Sequence, residues 1–240
     1  MDCPSVPRPV CKPKNTFPRC YLACFEPHEL DDESEDSTII GGKQDFSLEE
    51  KKDFHTDCDF VRGKLLLNQK DYSAAIQCFK KVIHFNPDHY LAHYWLGYLF
   101  YECQDLMEAL RYFEMASKLN EADADSWISL GLVLQDLGYL DKSVEATMRA
   151  TEIDSNNDRA FYNLGIACRK LDYFDDSVKY FKKAIDLNPS YVDAIINVGI
   201  VHQELGSYDE ATLCYEKALK IDPTLSDVQK ALDALKGREI

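Results

Sequence analysis

The chain has 240 residues, 45% hydrophobic and 12% aromatic, which is enough apolar surface for a packed core and excludes disorder throughout. A formal net charge of −15 argues against nucleic acid or an anionic membrane surface as a partner, because both are polyanions. No run reaches the roughly 18 apolar residues of a membrane span, and the residues after Met1 lack the basic-then-apolar order of a secretory signal. A soluble, cytoplasmic protein is expected.

Residues 1–46 hold six of the nine prolines, then the acidic run ELDDESED, then Gly41 and Gly42. That composition buries too little apolar surface to offset chain entropy, so a disordered tail is expected, with a short apolar patch at CYLACF. Four of the nine cysteines, Cys3, Cys11, Cys20 and Cys24, lie in this leader at spacings that match no zinc motif. The other five are scattered through helical patterns, so neither a disulfide scaffold nor a bound metal is expected.

Helical periodicity begins at Ser47, where SLEE reads as a capping box closed by Glu50. From there Gly63, Gly97, Gly131, Gly165 and Gly199 recur every 34 residues. Twelve residues after each stands a small side chain: Ala75, Ala109, Ser143, Ser177 or Ala211. This spacing predicts antiparallel helix pairs in which the glycine faces the small residue. Phe79, Phe113, Thr147, Phe181 and Tyr215 supply bulk further along the second helix, and Pro87, Pro189 and Pro223 end it. Glu121 and Ser155 replace that proline in two repeats, where looser turns are expected.

A repeat of 34 residues with Leu-Gly, a small residue, an aromatic, an alanine and a proline in this order resembles the tetratricopeptide repeat. The resemblance covers residues 56–225 as five repeats (56–89, 90–123, 124–157, 158–191 and 192–225) inside a domain of 47–225. It implies an all-α fold, a right-handed α–α superhelix. Asp59 and Arg62 make the first helix more polar than its successors, as an uncovered end requires. The segment 226–237 reads as a capping helix, with Ser226 and Gln229 as a second capping box, Val228, Ala231, Leu232 and Leu235 on its apolar face, and Gly237 as its stop.

No phosphate loop, nucleophile elbow or zinc helix is present, so an enzyme is not expected and no cofactor is implied. His84, His89 and His93 are close in sequence but divided between repeats, which favours surface or packing roles over a metal site. The resemblance implies a concave groove lined by positions two, five, six, nine, twelve and thirteen of each repeat. Its candidate peptide-binding residues are Tyr94, Trp95, Tyr98 and Tyr101 in repeat two, Ser129 in repeat three, Tyr162, Asn163 and Arg169 in repeat four, and Asn197 in repeat five. The asparagines share the sixth position, similar to the asparagine ladder of the O-GlcNAc transferase superhelix, and suit an extended peptide backbone because an amide both donates and accepts. The tyrosines and Trp95 suit an apolar anchor. Arg159 is expected to pair with Asp125 and Asp193, and Lys170 with Glu102, Asp136 and Glu204, which leaves Arg169 for an acidic group of the partner.

The expected function is a non-enzymatic adaptor that holds an extended or helical segment of another protein in this groove. The clamp by which some family members hold chaperone tails ending in EEVD needs lysine and asparagine at positions five and nine. Phe60 and Lys64, Tyr94 and Tyr98, or Ile128 and Leu132 do not match it, so no such partner is expected. The alternatives are a secretion-type chaperone for an unfolded client and a passive subunit of a larger assembly.

Overall fold

The computed structural model describes residues 48–237, with side chains from residue 56 onward. The expected tail and the Ser47 capping box lie outside the described residues. The described residues from Lys52 onward belong to one compact unit. The described residues build eleven helices and no strand: α1 (Leu48–Asn68), α2 (Tyr72–Phe85), α3 (Tyr90–Glu102), α4 (Leu106–Leu119), α5 (Ala124–Asp136), α6 (Leu140–Ile153), α7 (Asp158–Lys170), α8 (Phe174–Leu187), α9 (Val192–Glu204), α10 (Tyr208–Ile221) and α11 (Ser226–Lys236). Odd-numbered helices up to α9 are the first helices of five pairs, even-numbered ones the second, and α11 closes the stack.

Local chemistry sets the helix boundaries. Asp71, His89, Asp105, Asp123 and Asn157 are N-caps, each side chain accepting the N–H three residues on. Between the helices of a pair, one residue adopts a left-handed conformation in every repeat: Lys70, Gln104, Gly138, Asp172 and Gly206. The turn that follows each second helix has a single geometry in all five repeats. Asn86, Asn120, Asp154, Asn188 and Asp222 each accept, through the side chain, the N–H two residues ahead. The turns at Glu121 and Ser155 are therefore no looser than those with proline. The Asn or Asp one residue earlier makes the turn in all five.

Packing within the pairs corrects the expected role of the repeated glycines. A Cβ built on Gly63, Gly97, Gly165 or Gly199 would fall 2.9 Å or less from the ring of Phe79, Phe113, Phe181 or Tyr215. At Gly131 it would meet Thr147 Cγ2 at 2.5 Å. The glycine thus makes room for the bulky residue sixteen positions on, not for the small residue at twelve. Where the small residue is serine it bonds the glycine carbonyl: Ser143 Oγ donates to Gly131 O at 2.7 Å and Ser177 Oγ to Gly165 O at 2.8 Å. These buried hydroxyls are thereby satisfied.

The end helices behave as ends. In the described part of α1 only Thr56 and Gly63 are buried. In α11, Val228, Leu232 and Leu235 are buried against Ile195, Tyr215 and Ala218 of the last repeat, Ala231 is half-buried, and Asp227, Lys230, Asp233 and Lys236 are exposed. The capping box expected at its start is absent. Leu225 is the N-cap, Ser226 is already helical, and Gln229 donates along the helix to Asp233 at 2.9 Å.

Curvature follows from which helices approach one another across repeats. Besides the contacts between sequential helices, α3 touches α5, α5 touches α7 and α7 touches α9, whereas no two second helices among the described residues approach as closely. Crowded first helices must line the inner side of the bend, and second helices the outer side. The stack is a right-handed α–α superhelix whose inner wall is made by α3, α5, α7 and α9.

Candidate functional site

The inner wall begins with aromatics. Tyr94, Trp95, Tyr98 and Tyr101 of α3 are all half-buried. The Trp95 ring stands edge-on to Tyr94 at 5.4 Å and to Tyr98 at 5.8 Å, and Tyr94 stands edge-on to Phe113 at 5.7 Å. One side of each ring supports the core: the tyrosines pack on a cluster containing Phe113, Leu130 and Val133, and Trp95 on one containing Phe79, Leu96 and Leu99. Each side chain also keeps part of its surface exposed. Tyr101 is more constrained, because its hydroxyl donates to Asp136 Oδ2 at 2.6 Å and ties the end of α3 to the end of α5.

The middle of the wall is polar at position six and apolar at position nine. Ser129, Asn163 and Asn197 are half-buried, as are Tyr98, Leu132, Ile166 and Ile200 beside them. The two asparagines differ. Asn197 Nδ2 donates to the Asp193 carbonyl at 2.9 Å and to the Tyr162 hydroxyl at 3.4 Å, whereas the Asn163 amide bonds to no described residue. Of the expected two-rung ladder, one rung is partly spent on the protein itself. Tyr162 stacks on Tyr191 at 4.9 Å and leans on Phe181 at 5.7 Å. Burial, reinforced by the nearby Asp193, pushes its hydroxyl pKa up to about 12, so it is a neutral group at ordinary pH. Burial likewise raises the Asp193 carboxyl.

The charge pairing differs from that read along the rows. Arg159 lies 3.6 Å from Asp125, as expected. Glu204, however, takes Arg169 at 2.8 Å and not Lys170, which is exposed. Arg169 is therefore not an available cation. A row argument compares equal repeat positions, but the guanidinium reaches from position twelve of α7 to position thirteen of α9. Its Nε is buried without a hydrogen-bond partner among the described residues.

Of the histidines, His93 is buried, with Nε2 2.8 Å from the Pro87 carbonyl, and His89 caps α3. Both are structural. No group of His, Cys, Asp and Glu among the described residues could hold a metal ion. The apolar position-nine row lies among the groove positions that the resemblance implies, although of its members only Tyr98 is among the candidate contacts.

Sequence models described as tetratricopeptide repeat match residues 124–157, 158–191 and 192–225, and one described as TPR repeat matches 63–102. The chain belongs to the tetratricopeptide repeat family. Its solenoid is similar to that of YrrB, a TPR protein with an unusual peptide-binding site, at a TM-score of 0.65 and 22% identity over 76% of this chain and 93% of that one. MamA from Desulfovibrio magneticus RS-1 is similar at a TM-score of 0.67 and 16% identity, over 71% and 97% of the two chains. TTC0263, a thermophilic TPR protein of Thermus thermophilus, aligns at 0.59 and 18%, over 75% and 98%. At these identities the likeness is one of fold. No curated protein sequence matches the chain. As a tetratricopeptide repeat protein it carries the architecture of an interaction adaptor, and no helix among its described residues is long and apolar enough to cross a membrane.

Proposed function

We propose that the chain is a non-enzymatic adaptor that holds an extended or helical segment of a partner protein against its inner wall. The observation that carries this reading is the pair of rows at positions six and nine. Trp95 and Tyr98, Ser129 and Leu132, Asn163 and Ile166, Asn197 and Ile200 remain half-buried after every repeat has packed. A surface that alternates open apolar groups with an unbonded amide suits a polypeptide, whose side chains want the former and whose backbone wants the latter. Trp95 and Tyr98 offer large area at low entropic cost and would anchor an apolar side chain. Asn163 would meet the backbone, with Ser129 and Asn197 contributing weaker contacts. The peptide-binding site attributed to YrrB, on the same fold, supports a peptide ligand in kind though not in position.

The test is selection of peptides from a random library on the intact chain, followed by affinity measurement on variants. Trp95→Ala/Tyr98→Ala should weaken the selected peptides by more than ~2 kcal/mol, and Asn163→Ala by about 1 kcal/mol, with circular dichroism unchanged. Undiminished affinity in the folded double variant would place the binding surface elsewhere.

A further inference from the structure

The outer side of repeat four carries a second surface that the groove reading does not use. Phe161 of α7 and Val178 and Tyr180 of α8, all half-buried, line a cleft of about 660 Å³. Lys179, Lys182 and Lys183 stand around it, all exposed. They fall at i, i+3 and i+4 on α8, away from the stripe of Ser177, Phe181 and Ala184 that packs inward. Two of them lie over the aromatics, Lys183 at 5.9 Å from the Phe161 ring and Lys179 at 5.5 Å from that of Tyr180. Across the seam, Cys214 of α10 lies near both Lys182 and Lys217, with Glu210 also close by.

These lysines stand together beside an apolar floor with their charges unmatched, whereas many other cations are paired or stand singly. Arg111, Lys118, Arg149, Arg159, Arg169, Lys230 and Lys236 are all paired with carboxylates. Lys179, Lys182, Lys183 and Lys217 form no ion pair with a described residue, in a chain of net charge −15. Asp175 and Asp186 also line the cleft, yet no lysine there is bridged to either. Repelled by the rest of the molecule, a polyanion such as nucleic acid gains little here, whereas a short acidic segment can sit within this local field.

We infer that the cleft over Phe161 is a docking site for an acidic protein segment bearing one apolar anchor, distinct from the inner groove. The anchor would enter between Phe161 and Val178, and its flanking carboxylates would meet the three lysines of α8 and Lys217. Lysines spread along a helix stripe are separate point charges without the convergent donors of a phosphate site, so they match a row of carboxylates better than a single phosphate.

The probe is a fluorescein-labelled Glu-Glu-Phe-Glu-Glu peptide, titrated by anisotropy against the intact chain at low salt. Expected are saturable binding, a loss of about tenfold or more in Lys179→Glu/Lys182→Glu/Lys183→Glu, a comparable loss for the glutamine version of the peptide, and no change in Trp95→Ala/Tyr98→Ala. The lysines are exposed, and circular dichroism reports whether the triple variant keeps its fold. Milder Lys182→Gln/Lys183→Gln substitutions should give an intermediate loss. No binding below about 1 mM, or equal binding by the charge-reversed variant, would overturn the proposal. Loss in the groove variant would assign the peptide to the inner wall instead. Tighter association with phosphatidylserine vesicles or oligothymidylate than with the peptide would make the patch a lipid or nucleic-acid surface and also overturn it.

Discussion

Arg169 Nη1 and Glu204 Oε1 lie 2.8 Å apart and join the end of α7 to the end of α9 across the inner wall. The side chains keep 26% and 37% of their exposure, so water screens the pair and its worth to stability is modest. A double-mutant cycle on Arg169→Met and Glu204→Gln should return a coupling of ~0.5–1 kcal/mol by urea denaturation. Because the charge is already matched, Arg169→Met should also weaken a groove-bound peptide far less than Trp95→Ala does. Calorimetric titration of both variants with the same peptide checks this.

Gly165→Ala sets helix propensity against packing. Alanine gains about 1 kcal/mol over glycine in an open helix. Here its Cβ would sit 2.7 Å from the ring of Phe181, which is fully buried and has nowhere to swing. Overpacking of this kind costs about 1–3 kcal/mol, so a net loss of stability is expected. Gly165→Ala/Phe181→Leu should recover part of it, measured by thermal melting.

The turn between repeats rests on an amide or carboxylate oxygen. Asn120→Ala removes the acceptor for the Ala122 N–H, 3.3 Å away, and should cost about 0.5–1.5 kcal/mol. Asn120→Asp should be close to neutral, since Asp154 and Asp222 serve in the same place in other repeats. Chemical denaturation of the two variants compares them directly.

Alkaline pH should loosen the fourth and fifth repeats. Burial raises the Tyr162 pKa from 10.0 to about 12, and that of Tyr215 likewise to about 12. The folded state thus holds these protons more tightly than the unfolded chain. The associated stability is complete below pH 10 and is lost as pH climbs through 12. Tyr162→Phe should flatten this part of the stability profile. A variant with the wild-type slope between those limits would contradict the assignment.

Lys70 adopts φ 62° and Gly138 φ 82° at equivalent left-handed positions. Lys70→Gly should therefore stabilise the chain, and Gly138→Ala destabilise it, each by about 1 kcal/mol. Melting temperatures of the two variants should move in opposite directions.

Much of the fold is legible in the spacing of residues. The five glycines, the apolar periodicity and the small, bulky and turn residues that follow each glycine recur in one phase, and every recurrence is a local steric demand that a linear string can carry. The paired helices, the more polar first helix and the apolar face of α11 follow from it. The site is legible only as far as position: Tyr94, Trp95, Tyr98, Ser129, Asn163 and Asn197 are half-buried on the first helices, but their bonding is not evident from spacing.

Sequence alone determined that this protein is a stack of helix pairs, because periodicity records which side of each helix must be covered. Tertiary structure alone decided which polar groups are left over. Asn197 and Asn163 occupy the same position, yet only the former has Tyr162 within reach, and Glu204 selects Arg169 over its neighbour Lys170. Those choices depend on the rotation and separation of adjacent helices, at the scale of single ångströms. A repeat length does not encode that distance.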